Sequence, residues 1–263
     1  GVPKVIDQVT RAIEFNDLEA AEKVLAKGDV AAIILEPILQ NIGVVKPLPG
    51  YLEGLRALCD KYGTVLIFDE VKTGFRHALG GYQSIAGVLP DLCTFGKAVA
   101  NGYPMGVVGG KAEIMRLCND PSPERRVSVA GTYNGHPVNC AAAKACLTRL
   151  MTREKEVYGE LERLGARLEE GLRQVFASRN YPTTIVRQGS AFSFYFMDHA
   201  PISWRDLILH HDAERDLAFR RKLIEEGVFM FPVITKQGSI SLAHTDADID
   251  RTIEIAEKVV ATL

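Results

Sequence analysis

The chain reads as an α/β protein, with a mostly parallel sheet first and a small α+β unit after it. Three observations carry that reading. Short apolar runs rich in β-branched residues, at 31–35, 65–68 and 92–95, are separated by a helical stretch and by loops. Strand, helix, strand in that order argues for right-handed crossovers between parallel neighbours. Two of the runs stop on acids, Glu36 after the first and the pair Asp69 and Glu70 after the second. Carboxyl ends of strands are where open α/β sheets place their ligands. Past Tyr181-Pro182 the texture changes to an alternation, Phe192, Phe194 and Phe196 with Ser193 and Tyr195 between, the period of a half-solvated strand.

Taken in order, Asn16 and Asp17 offer caps for a helix to about residue 27, with Leu18, Ala21, Val24 and Leu25 as its apolar stripe. The run 31–35 is expected to be a buried strand ending at Glu36-Pro37, where Glu36 either opens a loop or faces a site. Leu52, Leu55, Leu58 and Cys59 mark a helix closed by Tyr62-Gly63. The run 65–68 reads as a strand buried on both faces. A glycine-rich loop over 74–87 leads to the strand 92–95, then come a turn at 101–104 and a strand at 106–109. Helix 112–118, a proline-marked loop and a strand at 127–130 follow. Residues 137–151 form an alanine-rich helix expected to be close-packed, with Cys140 and Cys146 as small core residues. Residues 154–178 form a long amphipathic helix with Val157, Leu161, Leu164 and Leu168 on one face. Beyond the alternating strand, 212–226 is helical and 228–231 and 239–242 are short strands. Thr245 with Asp248 forms a capping box for a last helix carrying Ile249, Ile253 and Val260. The domain division expected is 1–150, part of a large domain, and 151–263, a connecting helix and a small carboxyl-terminal domain.

The 263 residues suffice for one or two domains. With 31 basic against 33 acidic residues, no basic aromatic-studded tract marks a nucleic-acid surface. No apolar run approaches the ~20 residues of a membrane span. The five cysteines are odd in number and show no close ligand pairs, the usage of a reducing, cytoplasmic compartment. His136, His210, His211 and His244 show no metal-ligand spacing, and no metal is expected. Gly1-Val2-Pro3 begins without a cap or a first strand, like the middle of something longer.

The chemistry gathers at two strand ends. Asp69 closes one run, and Gly96-Lys97 leaves the next. An amine and an acid so placed are what a pyridoxal phosphate (PLP) site requires: the amine forms a Schiff base, and the acid keeps the pyridine nitrogen protonated as an electron sink.

The run Leu66-Ile67-Phe68-Asp69-Glu70-Val71-Lys72-Thr73-Gly74-Phe75-Arg76 closely resembles the class III aminotransferases of PLP fold type I. So do Pro90-Asp91-Leu92-Cys93-Thr94-Phe95-Gly96-Lys97 and Gly131-Thr132-Tyr133-Asn134-Gly135-His136-Pro137. Ala243-His244-Thr245-Asp246 fits the branch of glutamate-1-semialdehyde aminomutase and its transaminase relatives. The resemblance covers essentially the whole chain. It implies that Lys97 is the Schiff-base lysine; beside a cationic ring and partly desolvated, such an amine is available uncharged as general base and then acid. It implies that Asp69 pairs with the pyridine nitrogen, that Val71 packs on one ring face, and that Glu70 supports the site. Gly131 and Thr132 resemble the residues that reach the cofactor phosphate of a neighbouring subunit, which implies a homodimer with a shared site.

Three departures qualify it. Lys72 stands where the family often has methionine or glutamine. Lys236 falls where the aminomutase branch has a glutamate, and is either an exposed loop lysine or a partner for a substrate carboxylate. The glycine-serine-threonine phosphate loop and ring-stacking aromatic of the family match nothing here, so the chain is expected to be the carboxyl-terminal portion of a longer enzyme. The expected activity is transfer of an amino group between an amino acid or amine and a keto acid or aldehyde. Intramolecular transfer, as in the aminomutase, and a non-catalytic remnant are the alternatives.

Overall fold

The computed structural model describes residues 1–177, 179 and 181–263. After a single turn, α1 (Lys4–Asp7), comes α2 (Leu18–Leu25), capped by Asp17, whose carboxylate accepts from Ala20 N. Asn16 does not share the cap. It sits at φ 69° and ties the loop together instead, accepting from Leu48 N (2.8 Å) and donating to the carbonyl of Ile202 (2.8 Å). Strand β1 (Ala32–Leu35), helix α3 (Tyr51–Tyr62) and strand β2 (Val65–Glu70) form the first crossover. Gly63 ends α3 at φ 65°, a conformation that costs glycine little.

A short helix α4 (Tyr82–Ala86), strand β3 (Leu92–Phe95), a 3₁₀ turn (Lys97–Ala100) and strand β4 (Val107–Gly110) complete the first sheet. Its order is β1-β2-β3-β4. Pairings β1–β2 and β2–β3 are parallel and β3–β4 is antiparallel, so the sheet is mostly parallel as expected. Burial is less complete than the apolar runs suggest. β1 is an edge strand, with Ile34 63% exposed rather than buried. On β2, Leu66, Phe68 and Glu70 are buried while Ile67 and Asp69 are half-buried, so only one face is fully covered.

After α5 (Ala112–Met115) and a second 3₁₀ turn, residues 127–130 form no strand. Val127 and Val129 are more than half exposed, neither joins a strand pairing among the described residues, and Val127 N donates instead to the carbonyl of Leu117 (2.9 Å). Helix α6 (Pro137–Thr152) is also more open than its alanines suggest: Ala143 alone is buried, Cys140 is exposed, and Cys146 is half-buried with its Sγ 3.3 Å from the carbonyl of Ala98.

Helix α7 (Glu154–Ala177) follows; the expected last residue, Ser178, lies outside the described residues. A second, antiparallel sheet is built from β5 (Thr184–Gln188), β6 (Ala191–Tyr195) and, beyond α8 (Trp204–His210) and α9 (Ala213–Glu225), β7 (Gly238–Ser239). The strand expected over 228–231 is irregular, and of that over 239–242 only Ser239 is in a strand, together with Gly238 in β7. Helix α10 (Asp246–Val260) starts on the Thr245–Asp248 capping box. It lies against α7 so closely that a Cβ on Gly171 would meet Ile253 Cδ1 at 2.2 Å.

β6 is buried along its whole length, not half-solvated. The alternation is real, but both faces are covered. Phe192, Phe194 and Phe196 enter a core with α7, α9 and α10, while Tyr195 belongs to the core around α3 and β2. The Tyr195 hydroxyl accepts from Val44 N (2.6 Å) and donates to the carbonyl of Ile42 (3.1 Å). Gly43 permits this approach, since a Cβ there would lie 2.0 Å from the hydroxyl oxygen.

Phe219 is fully buried and stacks edge-on against Phe176, Phe194 and Phe196, with ring centroids 4.9–5.9 Å away. Phe219→Ala should therefore cost about 3–5 kcal/mol in urea unfolding. A loss below about 1 kcal/mol would mean this aromatic cluster is not tightly packed.

Candidate active site

Register brings the chemical groups together. Asp69 pairs with Thr94 and Glu70 with Phe95, so the acids at the end of β2 stand beside the loop that leaves β3 with Lys97. Asp69 Oδ1 accepts from Val71 N (3.0 Å) and Thr94 Oγ1 (3.3 Å). Oδ2 accepts no hydrogen bond among the described residues. Val71 lies against Gly96, where a Cβ would come 3.2 Å from Val71 Cγ1. Asp69, Val71 and Lys97 thus converge on two adjacent strand ends. The Lys97 side chain is exposed and takes part in no hydrogen bond or ion pair among the described residues.

Successive strand residues point to opposite faces, and Glu70 turns away from Asp69. It is fully buried and accepts from Thr73 Oγ1 (2.8 Å), Tyr82 N (2.7 Å), Gln83 N (2.9 Å) and Gln83 Nε2 (3.2 Å). Gly81, at φ 74°, leaves room for that carboxylate, which a Cβ would meet at 2.6 Å. Glu70 therefore pins the start of α4 and the loop before it rather than lining the Asp69 side.

Glu36 takes the loop-opening part, accepting from Gln40 N (3.0 Å) and Asn41 Nδ2 (3.1 Å). Gly131 and Thr132 fall in a stretch, 127–135, that is exposed throughout, and no hydrogen bond or ion pair joins either residue to Asp69 or Lys97 among the described residues. Lys236 is half-buried, its carbonyl held by Arg220 Nη1 (2.8 Å).

Sequence reasoning missed a set of groups behind the site. Lys72 is half-buried and donates to the carbonyl of Gln40. Burial pushes its pKa down to about 8, helped by the Lys236 ammonium and, less strongly, by Lys97 and Arg76, with Glu36 opposing. Burial also lowers the pKa of Arg76, which has no acceptor among the described residues. The Gln40 side chain meets His77 Nε2, and burial, reinforced by Arg76 and Lys46, holds that imidazole neutral with a pKa near 3. Gln40 Oε1 and His77 Nδ1 are buried without partners among the described residues. The signal available was Lys72 itself, a cation where an apolar or amide side chain is usual.

Backbone strain marks the same place. Phe75 (φ 60°), Lys97 (φ 46°) and Thr235 (φ 58°) are left-handed, and each is, or immediately precedes, one of the cations Arg76, Lys97 and Lys236. A β-branched threonine in that region is an outlier that its surroundings must enforce. Thr235 N donates to buried Asp216 Oδ2 at 2.6 Å.

A family model for the aminotransferase class-III family matches residues 4–260. Glutamate-1-semialdehyde 2,1-aminomutase 2 of Brevibacillus brevis is 43% identical over 256 residues, spanning 97% of this chain and 58% of that protein. Among solved structures, a glutamate-1-semialdehyde aminomutase variant from Pseudomonas aeruginosa in complex with PMP superposes with TM-score 0.87 at 29% identity, covering 97% of this chain and 57% of the other. An omega-transaminase from Sphaerobacter thermophilus gives TM-score 0.89 at 28% identity, covering 99% and 59%. The chain thus spans less than two thirds of the relatives it matches.

The depressed Lys72 pKa has a signed consequence. The unfolded chain keeps its proton to about pH 10, while the folded state sheds it near pH 8. The unfolded state binds more protons in that window, so stability rises with pH across it. Relative to Lys72→Met, the unmodified protein should gain on the order of 1 kcal/mol between pH 7 and pH 10 in urea unfolding, since the part of this side chain that meets water screens the effect. A pH-independent difference would place the Lys72 ammonium in open solvent.

Proposed function

The chain belongs to the class III aminotransferase family, and on that footing we propose that the protein carrying it is a PLP-dependent aminotransferase. Its substrates are an amino acid or amine as donor and a keto acid or aldehyde as acceptor. The observation that supports this most is the meeting of Asp69, Val71 and Lys97 at paired strand ends.

The residues present suit that cofactor. Val71 N and Thr94 fix one Asp69 oxygen, leaving the other to accept from a ring N–H. Val71 offers an apolar surface to one face of a flat ring. Lys97 carries an amine with no competing acceptor among the described residues. When bound, PLP supplies an electron sink for the charge left at the substrate's α-carbon. Asp69 keeps the ring nitrogen's proton in place. Lys97 would hold the cofactor through its amine, and the same amine could move the proton at the substrate's α-carbon, as base and then as acid. Lys236 offers its charge to a substrate carboxylate, and Glu36 balances the cations while holding its loop.

We assign Gly131 and Thr132 to the cofactor phosphate of a partner subunit in a homodimer, a reading supported by their exposure. We likewise take 1–150 as part of the cofactor-binding domain and 151–263 as the connecting helix with the small domain, since one sheet falls on either side. Five free cysteines support a cytoplasmic setting. Among the described residues no helix is long and apolar enough to cross a membrane.

Intramolecular amino transfer is the second reading, favoured by the name of the Brevibacillus brevis relative. Release of a keto acid from the donor separates the two, since a mutase needs no second substrate.

In the whole protein supplied with PLP, borohydride should fix the cofactor on Lys97. Lys97→Ala should abolish both that adduct and amino transfer, and a reducible adduct persisting in this variant would refute the assignment. Asp69→Asn should keep the adduct while slowing amino transfer about 10²-fold or more. Undiminished transfer would remove Asp69 from the mechanism.

A further inference from the structure

On the surface around α8, three side chains gather that none of the strand-end chemistry uses. Asp206 and His210 stand one turn apart on the helix, and His199 reaches them from the loop before it. Asp206 Oδ1 lies 3.0 Å from His199 Nε2 and 2.9 Å from His210 Nδ1. One donor atom from each of the three residues lies within 4.8 Å of the other two. Donors held at ~2.0–2.1 Å by a tetrahedral ion stand about 3.3 Å apart, so the distances to Asp206 are already close to a coordination edge.

Neighbouring groups hold two of these donors in place. Asp206 Oδ2 accepts from Ile202 N (3.0 Å), which fixes the carboxylate while Oδ1 meets both imidazoles. Asp198 Oδ1 lies 2.6 Å from His199 Nδ1. A carboxylate behind an imidazole in this way accepts the N–H of one ring nitrogen, fixing the tautomer that leaves the lone pair of the other for a metal. His210 Nδ1 also lies 2.9 Å from the carbonyl of Asp206. Without an ion, protons bridge these close N···O pairs, and a bound cation displaces them into solvent. Both histidines are exposed, so an ion has a direct path in.

We infer that His199, Asp206 and His210 form a binding site for a divalent transition-metal ion of the zinc type, completed by water. Two imidazoles and one carboxylate suit zinc, nickel or copper; magnesium and calcium prefer all-oxygen shells. The site would clamp the 199–203 loop to α8. Histidine spacing in the sequence gave no sign of it, because His199 lies outside the helix and only the path of the loop returns it to His210.

Zn²⁺ titration of the purified whole protein, stripped with a chelator and read against a chromophoric zinc indicator, tests this. One Zn²⁺ per chain is expected to be lost on His210→Ala and on His199→Ala, each weakening binding at least ~10-fold, with Asp198→Asn weakening it about 10-fold while leaving all three ligands. These side chains are exposed, so the variants should unfold at the same urea concentration as the unmodified protein when metal is absent. Failure to take up Zn²⁺ would overturn the site, as would equal binding by the unmodified protein and the double variant His199→Ala/His210→Ala.

Discussion

Everything at the strand ends depends on one peptide, the link between Asp69 and Glu70. Because strand side chains alternate, two acids in succession face opposite ways. Glu70 is driven inward and stays there because four donors meet it; a buried carboxylate without such partners would be untenable. Its engagement fixes the loop that leads to α4 and the register in which β2 ends. Asp69 is thereby presented on the other face, with one oxygen held and one available. The buried, fully hydrogen-bonded acid and the acid with a free oxygen differ only in which way the pleat turns them.

Much of this was legible from residues alone. The apolar runs at 65–68 and 92–95, bounded by acids and by Gly96-Lys97, gave the parallel strands and brought Asp69 and Lys97 to neighbouring ends. The Thr245–Asp248 capping box was readable because it is purely local. What failed was non-local. The alternation in β6 signals one apolar face but cannot say that the polar face is also covered, by Gly43 and the loop around it. Residues 127–130 have the composition of a strand but pair with none among the described residues. Glu70 read as part of the site because adjacency in sequence hides the change of face.

The least expected feature is the accumulation of positive charge beside Lys97. Lys72 and Lys236 repel one another, and Arg76 is withdrawn from water without an acceptor among the described residues. Leaving such groups unpaired is unfavourable for the fold. Lys72 compensates partly through the backbone carbonyl of Gln40, whose side-chain amide in turn meets a neutral His77. Both contacts run through one residue, Gln40, its main chain meeting Lys72 and its side chain meeting His77.

The left-handed backbone at Lys97 sets the presence of an amine at this strand end against heat resistance. A glycine would adopt φ 46° with no Cβ penalty, whereas lysine carries roughly 1 kcal/mol of strain there. Laboratory evolution that screened only for survival at high temperature would be rewarded for putting glycine at this position, and would discard the exposed amine with the strain.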